Sequence, residues 1–364
     1  MTLAKKKLKS VRLSSLTDFL ADVIGRGVLR FRPRSFAVPM SMAIGEAGTI
    51  RIGTRGSHLA RWQSTWVADR LREWRPELSV ELVEIRTQGD RDRNTPLAAM
   101  ATAGTGLFTK EIQRAVLEGA VDVAVHSLKD LPTRGPDGLI VAAVPPREDV
   151  ADALIAPVHQ TLDALPPGGR VGTSSPRRRA QLLHRRPDLE VVALRGNVET
   201  RLNQALDGRL DAVVLAWAGL HRLGLDRHVT DRLEPPRFLP AVGQGALGIE
   251  CRSDDDRVRA LLSALDDRPT HRAVVAERAA LAELEGGCII PMAAWARDVD
   301  RDESGASGEF LAIDAVVLDP DGRDRVAASV VGPRDDPEAL GRRAAKILRD
   351  RGAEPLLARS RSGG

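Results

Sequence analysis

The chain has 364 residues, of which 43% are hydrophobic and 29% are charged. This composition is typical of a globular protein that is long enough for two or three domains. Its two cysteines, Cys251 and Cys288, are too few for a disulfide framework and lack metal-ligand spacing, so we expect a reducing, cytoplasmic compartment. No apolar run is long enough to span a bilayer.

The net charge of +4 comes from the N-terminal region. Residues 1–49 contain nine Lys and Arg against three acidic residues, so the rest of the chain is slightly acidic and nucleic acid is a poor candidate partner. We interpret residues 1–48 as a basic N-terminal extension that is disordered or results from a misassigned start, with Met40 and Met42 as alternative starts. A transit peptide stays open, because the segment is basic, contains several Ser and is poor in acids.

The first ordered segment predicts a strand followed by a helix. Ile50 and Ile52 alternate as in a strand, apolar residues then recur at helical spacing, and Ser57 is placed to cap the helix. The pattern of strand, turn and helix recurs along the chain. One strand is predicted at Val121–Val125, and a second precedes a helix that begins at Pro176. A third strand ends at Arg195, before a helix cap at Asn197, and a fourth ends near Ala216. Strands that alternate with helices indicate an α/β fold with largely parallel sheets.

Two segments rich in Pro or Gly, Val144–Asp152 and Glu234–Ala246, predict connections between domains. After about Arg268 the pattern changes to a helix, two strand-like runs and a further helix, which is typical of a smaller α+β domain. Cys288 would lie in the loop directly after the first helix of that domain.

Basic residues follow the carboxyl ends of the predicted strands, where ligands bind in open α/β sheets. They are Arg55, Lys129, Arg177, Arg178 and Arg195. A solvated charge run is the alternative for any single arginine, but a helix N-terminus disfavours cations unless an anion binds there. Five such placements favour a polyanionic ligand, with further donors from the hydroxyls of Ser127, Thr173, Ser174 and Ser175.

Other classes of function must be weighed. Gly243–Gly248 matches GxGxxG, but prolines precede it and a strand-like run follows, so a nicotinamide-dependent oxidoreductase rests on this motif alone. A non-catalytic binding protein for small carboxylates would explain the arginines but not Cys288 or Asp130. The seven histidines form no ligand-spaced cluster, so no metal site is predicted and His126 is expected to be a hydrogen-bonded structural group.

Eight motifs in chain order resemble those of porphobilinogen deaminases, also called hydroxymethylbilane synthases. They are RIGTRGSHLA, GLFTKE, VAVHSLKDLP, VGTSSPRRRAQL, LRGNVETRL, LAWAGLHRLGL, LPAVGQGALGIECR and LEGGC. The resemblance runs from Ile50 to the C-terminus. It implies two α/β domains built like periplasmic binding proteins around a cleft, at 49–146 with 246–264 and at 151–239, plus a smaller C-terminal α+β domain at 268–364.

The resemblance also implies a dipyrromethane cofactor that is attached to Cys288 by a thioether. On this primer, four porphobilinogen units would be deaminated and condensed head to tail, and hydrolysis would release hydroxymethylbilane for tetrapyrrole (heme) biosynthesis. A cytoplasmic monomer without nucleic-acid or membrane partners is expected.

The family's motifs assign roles to individual residues. Asp130 would stabilise the cationic intermediate. The cofactor would be bound by Cys288, Lys129, Ser127, Thr173, Ser174, Ser175, Arg177, Arg178, Arg195, Gly196 and Asn197, and the substrate by Arg55, Ser57, Arg201, Arg222 and Phe108. Replacing Arg177 or Arg178 by Leu is expected to leave folding nearly intact.

Two stretches depart from the family's pattern. Gln88 and Thr105, in the lid at Thr87–Gly106, stand where many members have basic residues, and Ile289 stands where a polar residue is common. The lid contacts and the polarity around the cysteine are therefore left open.

Overall fold

The computed structural model describes residues 48–87, 109–284 and 290–362, which form three β-sheets and nine α-helices. The strands are β1 (Thr49–Thr54), β2 (Ser79–Glu84), β3 (Val123–Ser127), β4 (Leu139–Ala143), β5 (Asp152–Ile155), β6 (Arg170–Gly172), β7 (Glu190–Val192), β8 (Ala212–Ala216), β9 (Asp231–Leu233), β10 (Leu247–Arg252), β11 (Met292–Arg301), β12 (Ser307–Leu318) and β13 (Arg325–Pro333). The helices are α1 (His58–Trp74), α2 (Lys110–Leu117), α3 (Pro176–Arg185), α4 (Val198–Leu206), α5 (Trp217–Arg222), α6 (Asp256–Leu262), α7 (Arg268–Glu283), α8 (Pro337–Asp350) and α9 (Ala353–Ser362).

The first sheet has the strand order β2-β1-β3-β10-β4. Strands β2, β1 and β3 are parallel, whereas β10 is antiparallel to both of its neighbours. Apolar residues that alternate along β1 and β3 pack with α1 and α6 into one core, and α2 contributes to a second cluster with Val121 and Ala124. Both faces of the sheet are therefore covered, as expected for an α/β domain.

The second sheet repeats this plan with the strand order β7-β6-β8-β5-β9. Here β7, β6 and β8 are parallel, and β5 is antiparallel to β8 and β9. The prediction of largely parallel sheets is right for these three strands and for their equivalents in the first sheet, but wrong for β5 and β10. Both arrive from the other sheet rather than through a crossover helix, which a parallel neighbour requires.

The two connections between these sheets lie where the Pro- and Gly-rich segments predict them. Residues 144–151 lead from β4 to β5, and residues 234–246 lead from β9 back to β10. Gly243 and Gly245 have φ values of +70° and +85°, and a Cβ at Gly245 would lie 2.3 Å from the carbonyl oxygen of Glu148. The GxGxxG motif thus forms a turn that leads into strand β10, not a phosphate-binding loop before a helix.

The third sheet is antiparallel, with the order β11-β12-β13, and α7 and α8 pack with it into one core. The predicted fold class, two α/β units and a smaller C-terminal α+β unit, is confirmed. The exact domain limits stay a prediction. Among the described residues, no helix is both long and apolar enough to cross a membrane.

Local signals predicted helix starts better than strand ends. Ser57, Ser175 and Asn197 cap α1, α3 and α4, with side-chain oxygens that accept a backbone N–H at 3.3, 3.4 and 2.8 Å, respectively. Strand β3 begins two residues after Val121, and β7 ends three residues before Arg195. Such ends are poorly specified by a short apolar run.

Candidate active site

Charged side chains from the first two sheets interact beside Asp130. Lys129 and Asp130 lie in the short 3-10 turn Leu128–Asp130 that follows β3, and Asp130 is exposed. Lys129 interacts electrostatically with Arg177 and Arg178 of helix α3, which flanks the second sheet, and Arg201 of α4 interacts with Arg178 and Asp130. The basic rim predicted from the sequence is therefore assembled from two separate sheets.

Arg177 and Arg178, in the first turn of α3, are both bound to Asp152. Arg177 Nη1 lies 2.6 Å from Asp152 Oδ2, and Arg178 Nε and Nη2 lie 2.9 and 2.7 Å from Asp152 Oδ1. Burial by itself would raise the pKa of Asp152, but the charges of the two arginines hold it well below its ordinary value. Asp152 has no exposed surface, and the arginines are 3% and 6% exposed.

This arrangement argues against the expectation that Arg177 or Arg178 can be replaced by Leu with folding nearly intact. Loss of either partner would leave a buried charge without full compensation, which is strongly destabilising. The carbonyl oxygens of Leu239 and Val214 would also lose a donor each. The two arginines are part of the fold as well as candidates for ligand binding.

Two guanidinium nitrogens in this region are left without an acceptor. The Nε atoms of Arg177 and Arg201 are buried, and neither has a hydrogen-bond partner among the residues that the structure describes. Desolvation lowers the pKa of both side chains, and the neighbouring charge of Arg178 lowers it further. A ligand carboxylate would satisfy such donors and offset the excess positive charge.

Lys129 is half-buried among like charges. Desolvation, followed by repulsion from Arg178, lowers its pKa to about 8, and attraction to Asp130 and Asp152 opposes this shift. The protonated form of Lys129 is therefore less favoured than that of an ordinary lysine, and a bound carboxylate would favour it again.

Arg222 lies on α5, near the connection between the sheets. Its Nη2 donates to the carbonyl of Gly245 at 2.6 Å, and its guanidinium lies 5.7 Å from the ring centroid of Trp62. Desolvation lowers its pKa to about 10, which the charge of Glu148 partly offsets. Trp62 belongs to α1, so this contact joins elements that flank different sheets.

The hydroxyl groups predicted as ligand donors already have local partners. Ser174 Oγ bonds both backbone groups of Leu194, with the Leu194 N–H at 2.7 Å. Ser127 Oγ accepts from Gln63 Nε2 at 2.8 Å, and Thr173 Oγ1 accepts from the Ser175 N–H at 3.3 Å. These side chains shape the loops, and their free lone pairs or protons remain for a ligand.

The other predicted residues divide into two groups. Arg55 directly follows β1, and Arg195, Gly196 and Asn197 form the turn before α4, where Gly196 has a φ of +100°. Cys288, Phe108 and the lid segment from residue 88 onwards lie outside the described residues. For Cys288, the structure describes only the flanking helix α7, which ends at Glu283, and strand β11, which begins at Met292.

Asp152 is the main residue that sequence reasoning missed. It begins β5 at the end of a Pro-rich connection, and nothing in its local pattern distinguishes it from a capping or solvated carboxylate. Its partner Gln244, whose Nε2 donates to Asp152 Oδ1 at 2.9 Å, lies 92 residues away. Only the pairing of the two connections brings them together.

His126 lies in the core of the first sheet, as expected of a structural group. The expected hydrogen bond of its Nε2 is not formed: this atom lies 3.1 Å from Glu250 Oε2 but has no hydrogen-bond partner among the described residues. Gln113 Nε2 donates to the same carboxylate. Within residues 48–87, 109–284 and 290–362, no group of three His, Cys, Asp or Glu side chains could hold a metal ion.

Comparison with known proteins gives a consistent result over nearly all of the described chain. Residues 50–260 match the family model of the porphobilinogen deaminase dipyrromethane cofactor-binding domain, and residues 271–350 match that of the porphobilinogen deaminase C-terminal domain. The porphobilinogen deaminase of Desulforudis audaxviator is 49% identical over 312 residues, which is 86% of this chain and 98% of the relative. That of Syntrophotalea carbinolica is 46% identical over 312 residues, which is 86% of this chain and 96% of the relative.

Among solved structures, an arginine-specific periplasmic binding protein from Salmonella typhimurium is 15% identical and has a TM-score of 0.34. The matched region covers 61% of this chain and 93% of the binding protein.

Proposed function

The chain belongs to the porphobilinogen deaminase family of hydroxymethylbilane-synthesising transferases, and we propose which of its residues perform that activity. Porphobilinogen, the substrate of this family, carries an acetate and a propionate on a pyrrole ring. The observation that carries the assignment is the pair of buried Nε atoms on Arg177 and Arg201, which have no partner among the described residues. They lie in a group of cations that outnumber the neighbouring carboxylates Asp130 and Asp152.

The same observation supports a site for dipyrromethane, whose pyrroles also carry acetate and propionate groups. We propose that Cys288 forms a thioether with it. Its carboxylates and ring nitrogens would be bound by Lys129, Ser127, Thr173, Ser174, Ser175, Arg177, Arg178, Arg195, Gly196 and Asn197. When bound, this group supplies the free α-carbon to which the first substrate unit is joined.

The incoming porphobilinogen would be held by residues around the same cations. Arg222 is fixed by Gly245 and Trp62, so its guanidinium group is oriented before substrate arrives. Arg201 is half-buried, and its Nε has no acceptor among the described residues. We assign substrate contacts to Arg55, Ser57, Arg201, Arg222 and Phe108.

Asp130 is the proposed catalytic residue. As ammonia leaves the substrate, positive charge develops on the pyrrole, and a fixed carboxylate stabilises that charge and accepts a hydrogen bond from the ring N–H. Asp130 is exposed at the end of the turn after β3, with Lys129 and Arg201 close enough to interact with its charge. The exposed side of Asp130 is accessible to the substrate.

The remaining parts of the proposal concern the whole molecule. We propose a cytoplasmic monomer with domains at 49–146 plus 246–264, 151–239 and 268–364. Size-exclusion chromatography with light scattering would measure the oligomeric state.

Intact mass of the purified protein tests the cofactor assignment. Wild-type protein should be heavier than its sequence by two linked pyrrole units, and it should consume porphobilinogen with release of ammonia. Cys288→Ser should lose the added mass and the activity. Cys251→Ser is the matched control, because Cys251 is buried in the first sheet. A fully active protein without added mass would exclude the thioether, whereas a protein that binds porphobilinogen without consuming it would be a carboxylate-binding protein.

A further inference from the structure

Asp152 is an ionised carboxylate beside the candidate site. Protein groups alone pair it, so its charge does not depend on a bound ligand. It is completely buried, and it accepts hydrogen bonds from Arg177, Arg178 and Gln244. A carboxylate in such surroundings is costly to desolvate unless every oxygen is paired, and here both oxygens are. Asp152 is thus the buried counter-charge of the arginine pair.

The geometry of these bonds decides which guanidinium atoms remain for a ligand. Arg177 Nη1 is occupied twice, by Asp152 Oδ2 at 2.6 Å and by the Leu239 carbonyl at 2.7 Å. Arg178 directs Nε and Nη2 at Asp152 and Nη1 at the Val214 carbonyl. The buried Nε of Arg177 has no acceptor among the described residues, so this donor is not used by Asp152 and is left for a ligand carboxylate.

Asp152 is also tied to both connections between the two α/β sheets. It directly follows the first connection, residues 144–151, and Gln244 in the second connection donates to Asp152 Oδ1 and to the Val150 carbonyl, at 2.9 and 2.8 Å. The position of the carboxylate is therefore set by both connections, and the carboxylate in turn fixes the positions of the two guanidinium groups that bind it.

We propose that Asp152 is a positioning residue, which holds Arg177 and Arg178 in a ligand-ready orientation before the dipyrromethane is attached. This inference rests on the proposed function, since it takes the ligand to be a carboxylate-bearing pyrrole. Asp152 itself contacts neither the ligand nor the reacting atoms. Once the ligand is bound, its own carboxylates share the neutralisation of the arginines.

The test compares cofactor-free wild type with Asp152→Asn and Asp152→Glu, produced in a host that makes no porphobilinogen. Porphobilinogen is added, and the fraction of chains that gain the mass of two linked pyrrole units is followed by intact mass. We expect Asp152→Asn to load at least about 10-fold more slowly than wild type, since loss of one charge-assisted contact costs about 1.5–3 kcal/mol. Asp152→Glu, which keeps the charge, should load at an intermediate rate.

The matched control is Asp149→Asn, three residues away, where the carboxylate is partly exposed and pairs with Arg232. It should load like wild type. Thermal midpoints give a second readout: Asp152→Asn should lower the midpoint of cofactor-free protein more than that of loaded protein, because the bound carboxylates replace part of the missing charge.

Loading of Asp152→Asn at the wild-type rate, or an equal loss of midpoint in both forms, would overturn the positioning role and leave the proposed function intact. If wild type itself gained no mass, the proposed cofactor site would fail instead. Should Asp152→Asn not fold, Asp152→Glu carries the test, because its longer side chain displaces both guanidinium groups. Loading of that variant at the wild-type rate would then contradict the inference.

Discussion

Replacement of Arg178 by Leu should destabilise the protein far more than replacement of its neighbour Arg179. Arg178 is buried on Asp152, whereas the Arg179 side chain is 42% exposed and pairs with Asp321, which is 60% exposed. Both residues lie in the first turn of α3, so helix propensity and sequence context are matched.

The magnitude follows from what each change leaves behind. Arg178→Leu removes both contacts to Asp152 Oδ1 and the donor to the Val214 carbonyl, and breaking a buried pair in this way costs about 3–5 kcal/mol. Arg179→Leu loses an exposed pair, for which the cost is about 0–1 kcal/mol. For a chain of 364 residues, 1 kcal/mol shifts the thermal midpoint by roughly 1.5 °C, so the midpoint of Arg178→Leu should fall by roughly 5–8 °C.

The assay is differential scanning calorimetry of cofactor-free wild type, Arg178→Leu and Arg179→Leu at neutral pH and one protein concentration. Arg178→Lys adds a second comparison, because it keeps the charge but loses the two-point contact to Asp152 Oδ1. If Arg178→Leu and Arg179→Leu melted within about 2 °C of each other, the buried pair would not stabilise the fold and the reasoning would be refuted.

Three further predictions concern catalysis, pH and the N-terminal region. Asp130→Asn should fold and keep the cofactor but lower kcat by about 100-fold or more. Asp130→Glu should keep part of the activity, and the control Asp137→Asn, at an exposed residue, should keep all of it. Wild-type turnover in Asp130→Asn would exclude the electrostatic role. The pKa of Lys129 is about 8 in the folded protein and about 10.5 for an ordinary lysine, so between these values the unfolded chain binds the extra proton and stability rises with pH. Lys129→Met should therefore stabilise the cofactor-free protein at pH 7, and urea titrations should show this advantage shrinking between pH 8 and pH 10.5; a constant difference would contradict the shift. The family match begins at residue 50, so a chain that starts at Met40 should equal the full-length protein in midpoint and kcat/KM, and a loss of either would show that residues 1–39 contribute to the folded body.

Local chemistry made the helix starts predictable. Ser57, Ser175 and Asn197 each precede a helix and have side chains that accept the otherwise unpaired first N–H groups, so a few residues suffice to identify them. The two connections between sheets were also predictable, because clustered Pro and Gly disfavour both helix and strand.

The long motifs carried more than the local patterns did. They placed the chain in its family, and the family models and relatives confirmed this over residues 50–260 and 271–350. The assignment of Cys288 and Phe108 rests on these motifs, because both residues lie outside the part of the chain that the structure describes.

The sequence by itself thus determined the family, the three-part architecture and the residues that supply positive charge. Only the tertiary structure decided what those charges are bound to. The sequence pattern predicts that Arg177 and Arg178 bind a ligand, but the structure pairs them with Asp152, which neighbours Gln244 because strands β5 and β10 enter their sheets from opposite connections. Electrostatic partners that are 25 to 92 residues apart leave no periodic signal, since a buried ion pair depends on distance in space and on the exclusion of water rather than on spacing in the chain.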